Sequence, residues 1–359
     1  MGWRTYAENG DILSLHHRTV WIYNLSAQRE HHEGTGQCLA TIFIDYSQNQ
    51  LPPHHNDDNV IAALEQHDRV SGIRLPTTGL LTERFTTVMQ EPFPALTHLE
   101  LTSDGPMSTL LPDALLGGSA PLLRTLTLER ISFPAFLKLL LTASNLVNLH
   151  LIGIPVTGYI SPQVMVTVLS TLTQLRSLSI DFESPGFLPD RTSQRPPLPT
   201  HAVLTTLTIL SFRGVSEYFE DLFTGFDAPH IRYATIDFFN QLVFDIPQFT
   251  LFIGCTDQFK SPYRVVVVFK RGFVCIRLGG FHLSILSRGL DWQVSSMAQI
   301  CSQSSTLLSS VEELEIREGV FPSDYPEIYE GEFRPDIEDD IDSTQWLELF
   351  RPFTAVKTL

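Results

Sequence analysis

The chain has 359 residues, of which 43% are hydrophobic and 18% are charged, and its formal net charge is −16. That length and apolar content are enough to bury a core. The negative balance argues against a nucleic-acid partner, whose phosphates need a basic face. No apolar run approaches the roughly 20 residues that cross a bilayer, so we also expect no membrane partner.

Residues 1–37 predict little regular structure. VWIY at 20–23 is more typical of a strand than of a helix, and polar histidine-containing segments surround it. The N-terminus lacks the basic start and apolar stretch of a secretory signal. Cys38, Cys255, Cys275 and Cys301 form no CxxC pair, so we expect reduced thiols in a cytoplasmic or nuclear protein.

A six-residue pattern, L-x-x-L-x-L or a close variant, recurs through most of the remaining chain. Its copies are VSGIRL (70–75), LTHLEL (96–101), LRTLTL (123–128), LVNLHL (146–151), LRSLSI (175–180), LTILSF (207–212), IRYATI (231–236) and VEELEI (311–316). The fourth residues of the first seven copies lie 23 to 32 residues apart. Apolar residues at hexamer positions 4 and 6, with polar ones between, predict a short strand with one buried face. The repeat distance is that of a solenoid.

Between the hexamers the apolar spacing becomes helical, often after a helix-start signal. Ser161 and Pro162 precede QVMVTVLSTL, with serine as a cap and proline at the first helical position. Similar signals are Asp58-Asn59 before VIAALEQH, Ser216 before EYFEDLF, Asp245-Ile246-Pro247 before QFTLFI, and Ser343 before TQWLELF. We therefore predict an α/β fold of strand–turn–helix units, with a curved parallel sheet on one side and helices on the outer face.

The hexamers predict which side chains form the core. Eight apolar residues at positions 4 and 6 should be buried in consecutive strands: Leu99, Leu101, Leu126, Leu128, Leu149, Leu151, Leu178 and Ile180.

Several segments depart from the repeat. Residues 183–203 contain five prolines and predict a surface excursion. RVVVVF and FVCIRL, joined by Lys270-Arg271-Gly272, predict a β-hairpin excursion near 264–286, followed by a helix at LDWQVSSMAQIC (290–301). ATIFIDY (40–46) could be the first strand. VKTL (356–359) begins another hexamer, which suggests an array truncated at its C-terminal end.

Negative charge is concentrated in residues 311–343, where thirteen acidic residues stand against only two arginines. Two interpretations remain open for this stretch. It is either an acidic solvated loop or a docking site for a basic partner.

The hexamers resemble leucine-rich repeats, although the usual Asn or Cys position holds apolar residues in four copies. Six segments in order also resemble the C-terminal region of fungal F-box proteins: 58–75, 157–170, 214–222, 238–249, 290–301 and 344–359. This resemblance implies a receptor that recognises substrates for a cullin-type ubiquitin ligase. Residues 1–37 show no F-box, so we expect an irregular N-terminal segment followed by an irregular leucine-rich-repeat solenoid over 38–359. The cullin-ligase adaptor would be a partner only if an F-box exists upstream.

Catalytic and cofactor motifs are not found. The sequence has no GxGxxG, GxxxxGK[ST], HExxH or GxSxG. The paired histidines at 16–17, 31–32 and 54–55 would point apart on a strand, and HHNDD (54–58) is more typical of a polar loop than of a metal site. We expect no enzyme activity, no metal and no cofactor.

The leading hypothesis is therefore a protein-interaction module. Hexamer positions 3 and 5 face away from the core and position 2 lies at the sheet edge, where a partner could bind. The candidate residues are His98, Glu100, Arg124, Asn148, His150, Arg176, Arg232 and Tyr233, with Thr125 and Ser177 beside them. Three alternatives are an F-box-less structural or decoy binding protein, an incomplete gene product and, last, a hydrolase.

Overall fold

Short strands and helices alternate along the chain in the computed structural model. It describes residues 42–45, 57–77, 80–103, 109–133, 136–184, 201–256, 258–259, 262–287, 289–318 and 343–358. The chain divides into two compact units, Met1–Tyr159 (unit 1) and Ile160–Leu359 (unit 2). The predicted N-terminal segment 1–37, the paired histidines, most of the proline-rich excursion and most of the acidic stretch lie outside the described residues.

Unit 1 contains seven described strands and three α-helices. The strands are β1 (Ile42–Asp45), β2 (Val70–Pro76), β3 (His98–Thr102), β4 (Thr109–Leu110), β5 (Thr125–Glu129), β6 (Ile131–Ser132) and β7 (Asn148–Ile154). The helices are α1 (Asp57–Leu64), α2 (Leu80–Val88) and α3 (Phe136–Thr142), with 3₁₀ turns at Leu115–Gly118 and Val156–Gly158.

Unit 2 contains nine described strands and six helices. The strands are β8 (Ser177–Phe182), β9 (Ala202–Val203), β10 (Ile209–Gly214), β11 (Phe226–Asp227), β12 (Tyr233–Phe239), β13 (Arg264–Lys270), β14 (Phe273–Leu278), β15 (Phe281–Leu286) and β16 (Glu313–Glu318). The helices are α4 (Pro162–Leu169), α5 (Ser216–Thr224), α6 (Pro247–Cys255), α7 (Leu290–Gln303), α8 (Ser305–Leu308) and α9 (Ser343–Phe350).

Both units are built on mostly parallel β-sheet. In unit 1 the strands run parallel in the order β1–β2–β3–β5–β7. In unit 2 the order is β8–β10–β12–β15–β14–β13–β16, and only β14 is antiparallel to its neighbours. Two-stranded parallel pairs, β4–β6 and β9–β11, lie beside the main sheets. The predicted mixed α/β class with parallel strands is confirmed.

The hexamers align in register within each unit. Position 4 pairs across neighbouring strands as Ile73–Leu99–Leu126–Leu149 in unit 1. In unit 2 it pairs as Leu178–Leu210–Ala234. All eight predicted core residues are at most 4% exposed. Side chains alternate between the two faces of a sheet. This register therefore aligns the apolar position 4 side chains of neighbouring strands on one buried face, as the sequence predicts.

A tight turn precedes six of the eight hexamers. In it the N–H of hexamer position 1 donates to the carbonyl three residues earlier, as Leu96 does to Phe93 at 3.1 Å and Leu175 to Leu172 at 3.1 Å. Leu123, Leu146, Leu207 and Val311 donate in the same way. Both ends of each of these turns are buried. The small residue or proline before the leucines therefore belongs to a repeated turn that covers the end of the core.

The β-hairpin near 264–286 forms, but it is not an excursion from the sheet. Strands β13 and β14 pair antiparallel around Gly272, whose φ of +96° suits glycine in a two-residue turn. On its outer sides β14 pairs with β15 and β13 pairs with β16. Because both hairpin strands thereby fill their backbone hydrogen bonds, they lie inside the sheet of unit 2, and the predicted excursion is wrong.

Two predicted helix starts differ in how they are capped. At α4 the Ser161 hydroxyl accepts the Val164 N–H at 3.4 Å, as the Ser-Pro signal predicts. Helix α6 begins at Pro247, as the Asp245-Ile246-Pro247 signal predicts, but the N-cap residue Ile246 gives no side-chain cap. The Glu220 carboxylate of α5 instead accepts the N–H groups of Gln248 and Phe249 at 2.7 and 2.9 Å.

Phenylalanine rings fill much of the core of unit 2. Phe219 of α5 lies 5.2 Å from Phe212, 5.8 Å from Phe238 and 6.0 Å from Phe249 between ring centroids. Phe249 in turn lies 5.6 Å from Phe281. Edge-to-face and tilted contacts of this kind add to the burial of each ring. The rings come from β10, β12, β15, α5 and α6, so they hold these elements together.

Candidate functional site

In unit 1 the outward strand face carries side chains that bond to one another. The Arg74 Nε donates to Glu100 Oε2 at 2.7 Å, across the β2–β3 pair. Asn148 Nδ2 donates to Thr125 Oγ1 at 3.2 Å, across the β5–β7 pair. Two of the predicted binding residues, Glu100 and Asn148, therefore already have partners within the chain.

The two predicted histidines of this face are also engaged. The His98 ring Nδ1 lies 2.8 Å from the Thr97 hydroxyl, and His98 is exposed. His150 is half-buried, and burial lowers the pKa of its imidazole although nearby Glu100 raises it. Burial of His150 therefore disfavours a positive charge at this point of the face.

Hexamer position 2 has a distinct backbone role in both units. Its carbonyl accepts two N–H groups from the next strand, as that of Arg124 does from Val147 and Asn148 at 2.8 and 2.9 Å. The carbonyls of Thr97, Arg176, Thr208 and Glu312 do the same, as does that of Tyr263, which precedes β13 outside the hexamers. The side chains at position 2 differ in exposure, and Thr97, Val147 and Thr208 are half-buried. The predicted arginines Arg124, Arg176 and Arg232 are all exposed there.

In unit 2 the predicted residues form an exposed patch. Ile209 and Tyr233 pair in register on β10 and β12, and their exposed fractions are 45% and 63%. Arg176 and Arg232 immediately precede β8 and β12, and within the described part of the chain their guanidinium groups have no hydrogen bond or ion pair. We call Arg176, Ile209, Arg232 and Tyr233 the Arg–Tyr patch. It combines positive charge with exposed apolar surface.

A surface groove adjoins the Arg–Tyr patch. Its volume is about 430 Å³, and it is lined by Arg232, Tyr233, Gln258 and the Gly279–Gly280 turn between β14 and β15. A Cβ at Gly280 would lie 2.2 Å from the Arg232 carbonyl oxygen, so only glycine fits there. Gly279 has a φ of +58°, and a Cβ there would lie 3.9 Å from the Gln258 carbonyl oxygen. One wall of the groove is therefore bare backbone.

A row of polar residues that the sequence interpretation missed lies farther along the same strands. Arg213 Nε is 3.8 Å from Asp181 Oδ1, and the Ser284 hydroxyl donates to Asp237. Burial raises the pKa of Asp237, while the Ser284 hydrogen bond and nearby Arg213 lower it. Asp181, Arg213 and Asp237 each stand three residues after hexamer position 4, so their shared offset was a usable signal. Because these groups are bonded to each other, the row orders the sheet face and offers no open site.

The described start of the acidic stretch is a strand whose carboxylates are paired. Within β16, Glu313 lies 3.3 Å from Arg264, and Glu315 is bonded to both Arg264 and Arg317. Those two hydrogen bonds, Arg317 first, lower the pKa of the Glu315 carboxyl to about 2. Glu312, just before β16, pairs with Lys357 at 2.9 Å. Residues 313–318 thus form a strand, and the carboxylates of Glu312, Glu313 and Glu315 are paired within the chain.

Metal-ligating and thiol side chains are spread out among the described residues. They contain no group of three or more His, Cys, Asp and Glu side chains placed to hold a metal. The described cysteines are free thiols, buried at Cys275 and Cys301 and exposed at Cys255. Burial raises the pKa of the Cys301 thiol to about 12, which makes it unreactive. No helix in the described ranges is long and apolar enough to span a membrane.

Comparison with known proteins adds no relative: no protein-family model, no curated protein and no solved structure matches the chain. Its activity has therefore to be inferred from its own residues and their arrangement.

Proposed function

We propose that this chain is a protein-interaction module built as an irregular leucine-rich-repeat solenoid. Three repeated features support this: the buried turn before six of the eight hexamers, the in-register position 4 and the position 2 carbonyl that accepts two N–H groups. They recur in both units at the spacing read from the sequence. Stacked repeats of this kind commonly present an extended surface to a partner.

The observation that carries the proposal is the Arg–Tyr patch. Its two arginines have no side-chain partner within the described residues, and Ile209 and Tyr233 are 45% and 63% exposed beside them. Arginine and tyrosine are enriched among the residues that dominate binding energy in protein interfaces. Protein binding gives these side chains a role that the fold does not require of them.

We further propose that the bound partner is a substrate, as in the substrate-recognition region of an F-box-type ubiquitin ligase receptor. This part of the proposal rests on the sequence resemblance described above. A decoy binding protein would hold the same partner without linking it to the ligase. The two roles differ in adaptor binding, so co-purification with the cullin-ligase adaptor separates them. For the 359-residue chain we expect weak or no adaptor binding, and a one-to-one complex would instead indicate a divergent F-box within it.

The interaction function is tested by quantitative affinity capture. The wild-type chain is compared with a variant in which Arg124, Arg176 and Tyr233 are all changed to Ala. A matched control changes three exposed helix residues, Lys138, Leu251 and Leu347, to Ala. We expect the first variant to lose a set of partners that the control retains. Recovery of the same partners by all three proteins would show that the strand faces do not bind them.

A further inference from the structure

The two arginines of the Arg–Tyr patch lie on alternate strands of one parallel array. The Arg176 carbonyl accepts the N–H groups of Thr208 and Ile209, and the Thr208 carbonyl accepts those of Arg232 and Tyr233. Arg176, Thr208 and Arg232 are thus equivalent residues on three successive strands. Neighbouring strands are about 4.8 Å apart, so the two arginine backbones are separated by about 10 Å.

An apolar surface lies next to these arginines. Ile209 and Tyr233 each follow a position 2 residue and pair in register, which places their side chains next to each other on the outward face. Beyond Tyr233 the groove continues to the Gly279–Gly280 turn, where backbone is not covered by side chains. A ligand bound across the first residues of these strands would therefore contact the arginines, the apolar surface of Ile209 and Tyr233, and the backbone of the Gly279–Gly280 turn.

Acidic groups of the same strands do not neutralise the patch. Asp181 and Asp237 lie five residues beyond Arg176 and Arg232, about 16 Å along a strand. Both are engaged, Asp181 with Arg213 and Asp237 with Ser284. Exposed Asp227 lies 3.7 Å from His201. Within the described residues the two arginines therefore have no acidic partner, although the net charge of the chain is −16.

From this arrangement we propose that the Arg–Tyr patch binds an extended acidic segment of a partner protein, with carboxylates on Arg176 and Arg232 and an apolar side chain on Ile209 and Tyr233. The proposal rests on the interaction function above and names the partner class. An extended peptide advances about 3.3 Å per residue, so carboxylates about three positions apart match the arginine spacing. Guanidinium groups bind carboxylates through paired hydrogen bonds. The fixed geometry of these bonds orients each carboxylate on its arginine.

The test uses the full chain and short fluorescein-labelled peptides in fluorescence anisotropy. Each peptide has two Glu residues two, three or four positions apart around a Leu, and its counterpart has Gln at both places. The test variant is Arg176→Glu with Arg232→Glu. The matched control is Lys138→Glu with Arg351→Glu, the same double charge reversal at two exposed residues outside the strand faces. Melting curves establish that each variant folds, and Arg→Gln changes replace any charge reversal that does not.

We expect the Glu peptide of best spacing to bind about tenfold more tightly than its Gln counterpart, and the double variant to lose about tenfold or more. The control variant should stay within about twofold of wild type. Raising the salt from about 50 to about 300 mM should weaken binding, since exposed ion pairs are screened.

Three results would overturn the acidic-segment proposal. The first is equal binding of Glu and Gln peptides, or no binding of either at about 1 mM. The second is binding that survives the double charge reversal. The third is a dimer in sedimentation that the double variant abolishes, which would assign the patch to a second copy of this chain. If the peptides fail while affinity capture still loses partners in the alanine variant, the interaction function stands and only the partner class is wrong.

Discussion

The outward strand faces of unit 1 and unit 2 are built on the same hexamer, but their polar side chains are paired differently. In unit 1, Arg74 pairs with Glu100 and Asn148 bonds to Thr125, so polar side chains complete one another across the strands. In unit 2, the polar pairs lie late in the strands, at Asp181–Arg213 and Asp237–Ser284, and the strand starts carry the Arg–Tyr patch. The difference indicates that the repeat sets the positions of the outward side chains. Whether those side chains pair with one another then determines which face can bind a partner.

The largest expected effect tests what the two units share. Replacing Leu126 in unit 1 or Leu178 in unit 2 by Ala should lower the free energy of unfolding by about 2–5 kcal/mol, because each fills the same position of a buried row. Urea unfolding followed by circular dichroism measures this. Thr127→Ala, on the outward face beside Leu126, is the control and should cost less than about 1 kcal/mol. A loss below about 0.5 kcal/mol at either leucine would show that the hexamers do not have equivalent roles.

A smaller effect on the free energy of unfolding is expected from the ionisation of Glu220, a residue that has no counterpart in the hexamer pattern. Burial raises the pKa of its carboxyl to about 7, although the Phe249 and Gln248 N–H groups lower it. A folded-state pKa above the unfolded value, about 4.3 for Glu, gives stability that is complete below pH 4.3 and lost as pH rises through about 7. Over this window unit 2 should lose about 1–2 kcal/mol.

The variant Glu220→Gln isolates this pH dependence, because an amide cannot titrate there. Between about pH 5 and 8, the unfolding free energy of the wild type should fall relative to that of Glu220→Gln as the pH rises. Asp221 and Asp245 also raise the pKa of Glu220, so Asp245→Asn should shift the wild-type transition to lower pH. Parallel pH profiles for wild type and Glu220→Gln would contradict the assignment.

The smallest expected changes in stability compare the outward faces of the two units directly. A double-mutant cycle on Arg74 and Glu100 should give a coupling of about 0.2–1 kcal/mol, as for an exposed ion pair. Arg232→Ala should change stability by no more than about 0.5 kcal/mol, because its side chain has no partner among the described residues. A larger loss at Arg232 would mean that the patch serves the fold, which would remove the reason to assign it to binding.

The sequence predicted those parts of the fold that depend on local spacing. Buried Leu99, Leu126 and Leu149, the parallel strands and the Ser161 cap all follow from period-two alternation and helix-start chemistry. Non-local pairing was not predictable in this way. Strand β13 joins β16 across 51 residues at Arg264 and Glu315, and Glu220 caps a helix that begins 27 residues later. The phenylalanine contacts of unit 2 are likewise set by how distant elements meet.

The candidate site was predicted in part. Hexamer positions 2 and 3 correctly placed Arg176, Arg232 and Tyr233 at exposed strand starts. The sequence did not reveal that Glu100 is already paired, because its partner Arg74 lies 26 residues away and their contact depends on strand register. It also gave no sign of the groove, which forms only where the Gly279–Gly280 turn meets Arg232.

The most direct test of the account places a photo-crosslinking phenylalanine derivative at Tyr233 in one protein and at His98 in another. Both positions are hexamer position 3 and exposed, one in unit 2 and one in unit 1. The account predicts a covalent partner adduct at position 233 that an excess of the acidic peptide suppresses, and little adduct at position 98. An adduct at 98 but not at 233, or one at 233 that the peptide leaves unchanged, would contradict it.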